Sequence, residues 1–109
     1  MAYDDNLAAR IRAQLISREG YDEKKMFGGI GFLLHGNMAC GVLADRLVIR
    51  VGPERYRQAL ARPGVILFDI TGRPMTGWVQ VTPVAWQDPE QFADWVELGA
   101  AYALSLPAK

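Results

Sequence analysis

Cys40 is the sole thiol of the chain and His35 its sole imidazole. Nucleophilic chemistry would have to pair the two, because a thiolate attacks only after a base or a nearby cation has drawn off its proton. The spacing works against that pairing. A two-residue hairpin turn at Gly36-Asn37 sets Leu34 or His35 opposite Met38 or Ala39 and leaves Cys40 offset from the ring. Met38-Ala39-Cys40-Gly41-Val42 reads instead as an apolar strand, where a thiol acts as a small buried hydrophobe. One cysteine also excludes an internal disulfide and a cysteine-pair zinc site with His35. Asp69, Asp88, Glu90, Asp94 and Glu97 form no acid/base dyad; the last four are spaced as a helix start and a helix surface. No catalytic residue, metal ligand or cofactor site is assigned, and a non-enzymatic protein is expected.

Arginine beside an aromatic ring is the better candidate for specific chemistry. In Thr71-Gly72-Arg73-Pro74-Met75-Thr76-Gly77-Trp78 a proline and a tryptophan flank Arg73, a setting that can present a guanidinium to a carboxylate or phosphate. The plainer reading is a strand connection in which Arg73 lays its stem on Trp78 or pairs with Asp69. An anion site between sheet and helix would draw on Arg50, Arg73 and Trp78. Lys25-Met26-Phe27-Gly28-Gly29-Ile30-Gly31-Phe32 has the glycines of an anion-binding loop but neither a P-loop nor a dinucleotide fingerprint. Met26, Phe27, Gly28 and Gly29, with Gly72, Pro74 and Gly77, are therefore expected to be architectural: glycines at positive φ in a bend, with Met26 or Phe27 in the core.

The elements that must position these residues follow from hydrophobic period. Leu7, Ala8, Ile11, Leu15 and Ile16 recur at three- and four-residue steps, which predicts a helix from about Asp4 to Arg18, stopped by Gly20. Short apolar runs broken at Gly28-Gly29, Gly36-Asn37 and Ala44-Asp45 predict three or four antiparallel strands between Lys24 and Val51. Leu47, Ile49 and Val51 share one face of the last; Arg46, Val48 and Arg50 share the other. Gly52-Pro53 opens a short second helix, and Val65 to Ile70 and Trp78 to Val84 read as two further strands. Asp88-Pro89-Glu90 is an N-cap, an N1 proline and a first-turn acid, launching a helix to about Ser105. Strands arriving in runs, in the order α-β-β-β-α-β-β-α, predict an α+β fold with an antiparallel sheet and flanking helices.

With 109 residues, half of them hydrophobic, the chain suits one domain spanning 1–109. Its 12 basic and 12 acidic side chains cancel, so a nucleic-acid partner is unsupported by net charge even though Arg46, Arg50, Arg55, Arg57, Arg62 and Arg73 crowd one stretch. The acidic N-terminus is unlike a secretory signal, and no window reaches the length of a membrane span. A cytoplasmic protein with no membrane partner is expected. Three tryptophans and the high apolar content exceed what a minimal core needs, which predicts a homodimer.

Lys25-Met26-Phe27-Gly28-Gly29, Cys40-Gly41-Val42, Leu47-Val48-Ile49-Arg50, Gly72-Arg73-Pro74-Met75 with Gly77-Trp78, Asp94-Trp95 and Tyr102-Ala103 resemble, in order, the N-terminal domain of the bacterial TfoX/Sxy competence regulators. The resemblance spans nearly the whole chain. It implies a secretion-chaperone-like α+β domain, a regulatory or protein-interaction role with a protein partner not named by the residues, and no catalytic residues. Full-length competence regulators also carry a C-terminal helical domain. These 109 residues hold no counterpart of it, so a stand-alone version of the module is expected.

Overall fold

Alternation of apolar and polar residues through the middle of the chain builds one antiparallel sheet, and two amphipathic helices cover a single face of it. The computed structural model describes residues 3–26, 28–69 and 72–109. Its elements are α1 (Asp5–Leu15), β1 (Tyr21–Met26), β2 (Gly29–Leu34), β3 (Asn37–Leu43), β4 (Arg46–Arg50), α2 (Tyr56–Leu60), β5 (Val65–Leu67), β6 (Trp78–Val81), α3 (Pro83–Trp86) and α4 (Pro89–Ser105). The strands lie in the order β1-β2-β3-β4-β6-β5, each pair antiparallel. The chain is therefore α+β with an open six-stranded antiparallel sheet.

The helix starts follow from local chemistry. Asp4 caps α1, its carboxylate accepting from the amides of Asn6 at 2.8 Å and Leu7 at 3.2 Å. Asp88 caps α4 by accepting from the Gln91 amide at 3.0 Å, with Pro89 in the first turn. Such caps satisfy amides that a helix cannot bond internally and contribute about 1 kcal/mol each. α4 crosses β3 and β4. It buries Phe92, Trp95, Val96, Gly99, Ala100 and Ala103 against Leu47, Ile49, Val79 and Val81, which point to the same side. Small residues let α4 come close: a side chain at Gly99 would overlap the carbonyl oxygen of Ala39.

α1 is tied to the edge strand by a bidentate ion pair, Arg12 Nε to Glu23 Oε2 at 2.6 Å and Arg12 Nη2 to Glu23 Oε1 at 2.9 Å. The Tyr21 hydroxyl also donates to Glu23. The Arg12 bond, reinforced by that hydroxyl, holds the Glu23 carboxyl below its usual range against the opposing effect of partial burial. Glu97 on α4 is lowered in the same direction by Arg18, which reaches it from beyond the end of α1.

Several boundaries differ from the sequence expectation. The first strand begins at Tyr21, not Lys24, because Glu23 and Tyr21 use their polar ends toward α1 rather than avoiding the sheet. The β2–β3 turn is His35-Gly36, not Gly36-Asn37; both residues take positive φ, 51° and 83°, and Asn37 turns inward to donate to the Pro107 carbonyl at 2.9 Å. Pro53 lies in a turn ahead of α2. The strand expected over Val65 to Ile70 ends at Leu67, and Ile70 lies outside the described residues. The strand expected to reach Val84 ends at Val81, where Thr82 bonds the Gly64 carbonyl and Pro83 opens the one-turn helix α3.

Two outcomes follow. Gly99→Ala should lower the unfolding free energy by about 1–3 kcal/mol in urea titrations, the overlap with Ala39 outweighing the ~1 kcal/mol that alanine contributes to a helix interior. A stabilised variant would refute the close approach. Glu23 has a depressed folded pKa, so its contribution is complete above the unfolded value of about 4.3 and fades as pH falls through it toward the folded value. Urea midpoints measured from pH 6 to pH 3 should fall less steeply for Glu23→Gln than for the unsubstituted protein.

Candidate functional site: an open apolar groove

The sheet face turned away from α1 and α4 carries the site. Alternation along β4 sends Arg46, Val48 and Arg50 to that face, and register sets Leu43 across from Arg46, Gly41 across from Val48 and Trp78 across from Arg50. Gly31 lies across from Gly41 on the next strand. Two facing glycines leave a trough in the sheet, and methionine side chains lie over it. A Cβ on Gly31 would meet Met38 Cε at 3.1 Å and Met26 Cε at 3.2 Å. Substitution at Gly41 is closed off by backbone as well, with the Ile30 carbonyl oxygen 2.6 Å from the added carbon.

The result is a groove of about 300 Å³, at the small end of ligand pockets. Its floor is Gly29, Gly41 and Val48, its β1-side wall Met26 and Met38, and its β5-side wall Phe68, Met75 and Trp78, with Leu43 at one end. Phe68 and Trp78 stack at a 6.0 Å ring separation. Beneath this wall Gln80, 8% exposed, donates through Nε2 to the Leu67 carbonyl at 3.0 Å while its Oε1 finds no partner among the described residues. The Nε of Arg46 is likewise buried and without a partner among the described residues.

The two glycine-bearing segments singled out in the sequence thus line opposite walls of one groove. Gly28 adopts φ +77°, as a bend requires, while Gly29 is needed for space, since a Cβ there would overlap the Val42 carbonyl. Met26 lines the groove instead of entering the core because it falls on the outward register of β1 opposite Gly29; Phe27 lies outside the described residues. Gly72 and Gly77 take φ +84° and +93°, and Gly77 accepts through its carbonyl from Val51 and Gly52. Pro74 and Arg73 are exposed. Arg73 forms no ion pair with Asp69 among the described residues, where the ion pairs are Arg12–Glu23 and Arg18–Glu97, and the cation over the Trp78 ring is Arg50. Arg50 and Trp78 are brought together, with the guanidinium carbon 5.2 Å from the Trp78 centroid and 5.4 Å from that of Tyr102.

Other arginines are spent in the same way. Arg10 sits 3.9 Å from the Phe92 centroid and 5.8 Å from that of Trp86, and Arg62 lies 4.1 Å from that of Trp95. Of the basic run from 46 to 73, Arg50 and Arg62 are thus held on aromatic rings. Cys40 is fully buried, and burial pushes its thiol up to about 12. Among the described residues no three His, Cys, Asp or Glu side chains assemble as a metal site. No described helix is long and apolar enough to cross a membrane. The sequence signal for the groove was present in Gly31 and Gly41, two strand-interior glycines without a turn to explain them.

The family model of the TfoX N-terminal domain matches residues 13–103. No curated protein and no solved structure matches the chain. Cys40 should stay unmodified by a thiol reagent at pH 7 in the folded protein and react at once in 6 M guanidinium; mass spectrometry before and after denaturation reads the difference.

Proposed function

The chain belongs to the TfoX N-terminal domain family, and from that premise we propose that it is a non-enzymatic regulatory module that binds a partner protein through the open apolar face of its sheet. The observation that carries this reading is the methionine-lined groove. A sheet face this apolar and left without a helical cover is suited to recognition, and thioether side chains adapt their shape to what they meet. Its chemistry is that of binding: the thiol is sealed in the core, and Glu23 and Glu97 are engaged by arginines. A chain whose one cysteine, Cys40, is buried and has no second cysteine to pair with suits a cytoplasmic setting.

Self-association is part of the same reading. β5 is an edge strand whose Ile66 and Leu67 are each 43% exposed, and antiparallel pairing of β5 with its copy is self-complementary about a two-fold axis.

Tagged protein used as bait in an extract of its native host should retain a specific partner. Met38→Glu should lose that partner while melting within a few degrees of the unsubstituted protein. Leu104→Glu, placed on the exposed side of α4, should keep it. Equal capture by all three baits would remove the groove from the reading. Light scattering should give twice the 12.1 kDa chain mass, and a single-chain mass at all working concentrations would remove the self-association.

A further inference from the structure

We propose that the cleft between α2 and α4 binds a small phosphate monoester, its phosphoryl group held by Arg55, Gln58 and Arg62. The cleft shares no lining residue with the apolar groove, so the inference stands apart from the protein-binding reading. Positions 55, 58, 59 and 62 recur at three- and four-residue steps, which brings them to one side of α2 and of the turn after it, where the Arg62 amide donates to the Ala59 carbonyl at 3.1 Å. Ala59 is buried, and the three polar side chains line a cleft of about 130 Å³ with Trp95 and Leu98 of α4.

Three features select the ligand. The lining holds two guanidiniums and an amide but no carboxylate. Glu97 is engaged by Arg18, and the exposed Glu54 and Asp94, next in sequence to lining residues, pair with neither Arg55 nor Arg62. Arg62 is also positioned without being neutralised. Its guanidinium carbon lies 4.1 Å from the Trp95 centroid, and Trp95 is 1% exposed with its Nε1 donating to the Ala85 carbonyl at 3.3 Å. A ring face attracts the charge and leaves the N–H donors for an acceptor. Finally, two guanidiniums that share a space for one small group exceed the single charge of a carboxylate, whereas a phosphoryl group brings close to two charges and three acceptor oxygens. The organic part has its own place: Arg55 and Leu98 also border an adjoining depression of about 190 Å³, which Val51 and the ring of Tyr102 make partly apolar.

Phenyl phosphate probes both depressions. At neutral pH its titration should shift the NMR signals of the Arg55 and Arg62 Nε–H groups saturably. Inorganic phosphate, which lacks the ring, and phenyl sulfate, which carries one charge, should each bind about tenfold more weakly. Arg55→Gln should weaken phenyl phosphate by about tenfold, the equivalent of one charge-assisted hydrogen bond, and melt like the unsubstituted protein because Arg55 is exposed. Arg57→Gln removes an exposed arginine of α2 that does not line the cleft, and Met38→Glu alters only the groove; both should bind phenyl phosphate at full strength. No shift at millimolar phenyl phosphate, equal binding of phenyl sulfate or inorganic phosphate, equal weakening by Arg57→Gln, or shifts produced only by a single-stranded oligonucleotide would each overturn the proposal. Partner capture that depends on Met38 alongside silent phenyl phosphate titrations would defeat this inference and leave the protein-binding reading standing.

Discussion

The close approach of α4 to β3, made where Gly99 meets the Ala39 carbonyl, decides how the rest of the molecule is shared between core and surface. With α4 pressed onto β3 and β4, and α1 beside it, the large side chains Trp95, Phe32, Leu47 and Ile49 are consumed in one layer on one side of the sheet. Among the described residues no helix covers the other side. Phe68, Met75 and Trp78 wall part of it, and beside them lies the trough at Gly31 and Gly41. The apolar groove is thus a consequence of having six strands and a single helical layer.

Sequence reasoning reached the helices because their ends are written in local chemistry. Asp4 and Asp88-Pro89 cap as their types demand, and the stripe of Leu7, Ile11 and Leu15 has one period that fits. It reached β4 and β6 because one face of each is fully buried, so that Leu47, Ile49, Val79 and Val81 alternate cleanly with their neighbours. It placed β1 three residues late because an edge strand needs little apolar content: its inward positions are used by Tyr21 and by Glu23, whose partner Arg12 is nine residues before Tyr21. The α3 turn escaped notice because Thr82 continues the alternation of β6 up to the proline that ends it.

The groove was legible only in pieces. Gly28, Gly72 and Gly77 take the positive φ of a bend, yet nothing local says that Met26 and Met75, 49 positions apart, line one groove. That depends on the strand order, which places β6 beside β4 and sends β5 to the edge. Arg50 and Trp78 meet for the same reason, as register partners on neighbouring strands. Arg73 is exposed, and no ion pair among the described residues orients it.

The methionine lining gives the face a sensitivity that the core does not share. Oxidation turns a thioether into a polar sulfoxide, and Met26, Met38 and Met75 are all at least partly open to solvent while Cys40 is sealed beneath the sheet. An oxidising episode would therefore wet the groove and weaken its hold on apolar surfaces without loosening the packing around Trp95, and enzymatic reduction of the sulfoxides would restore it.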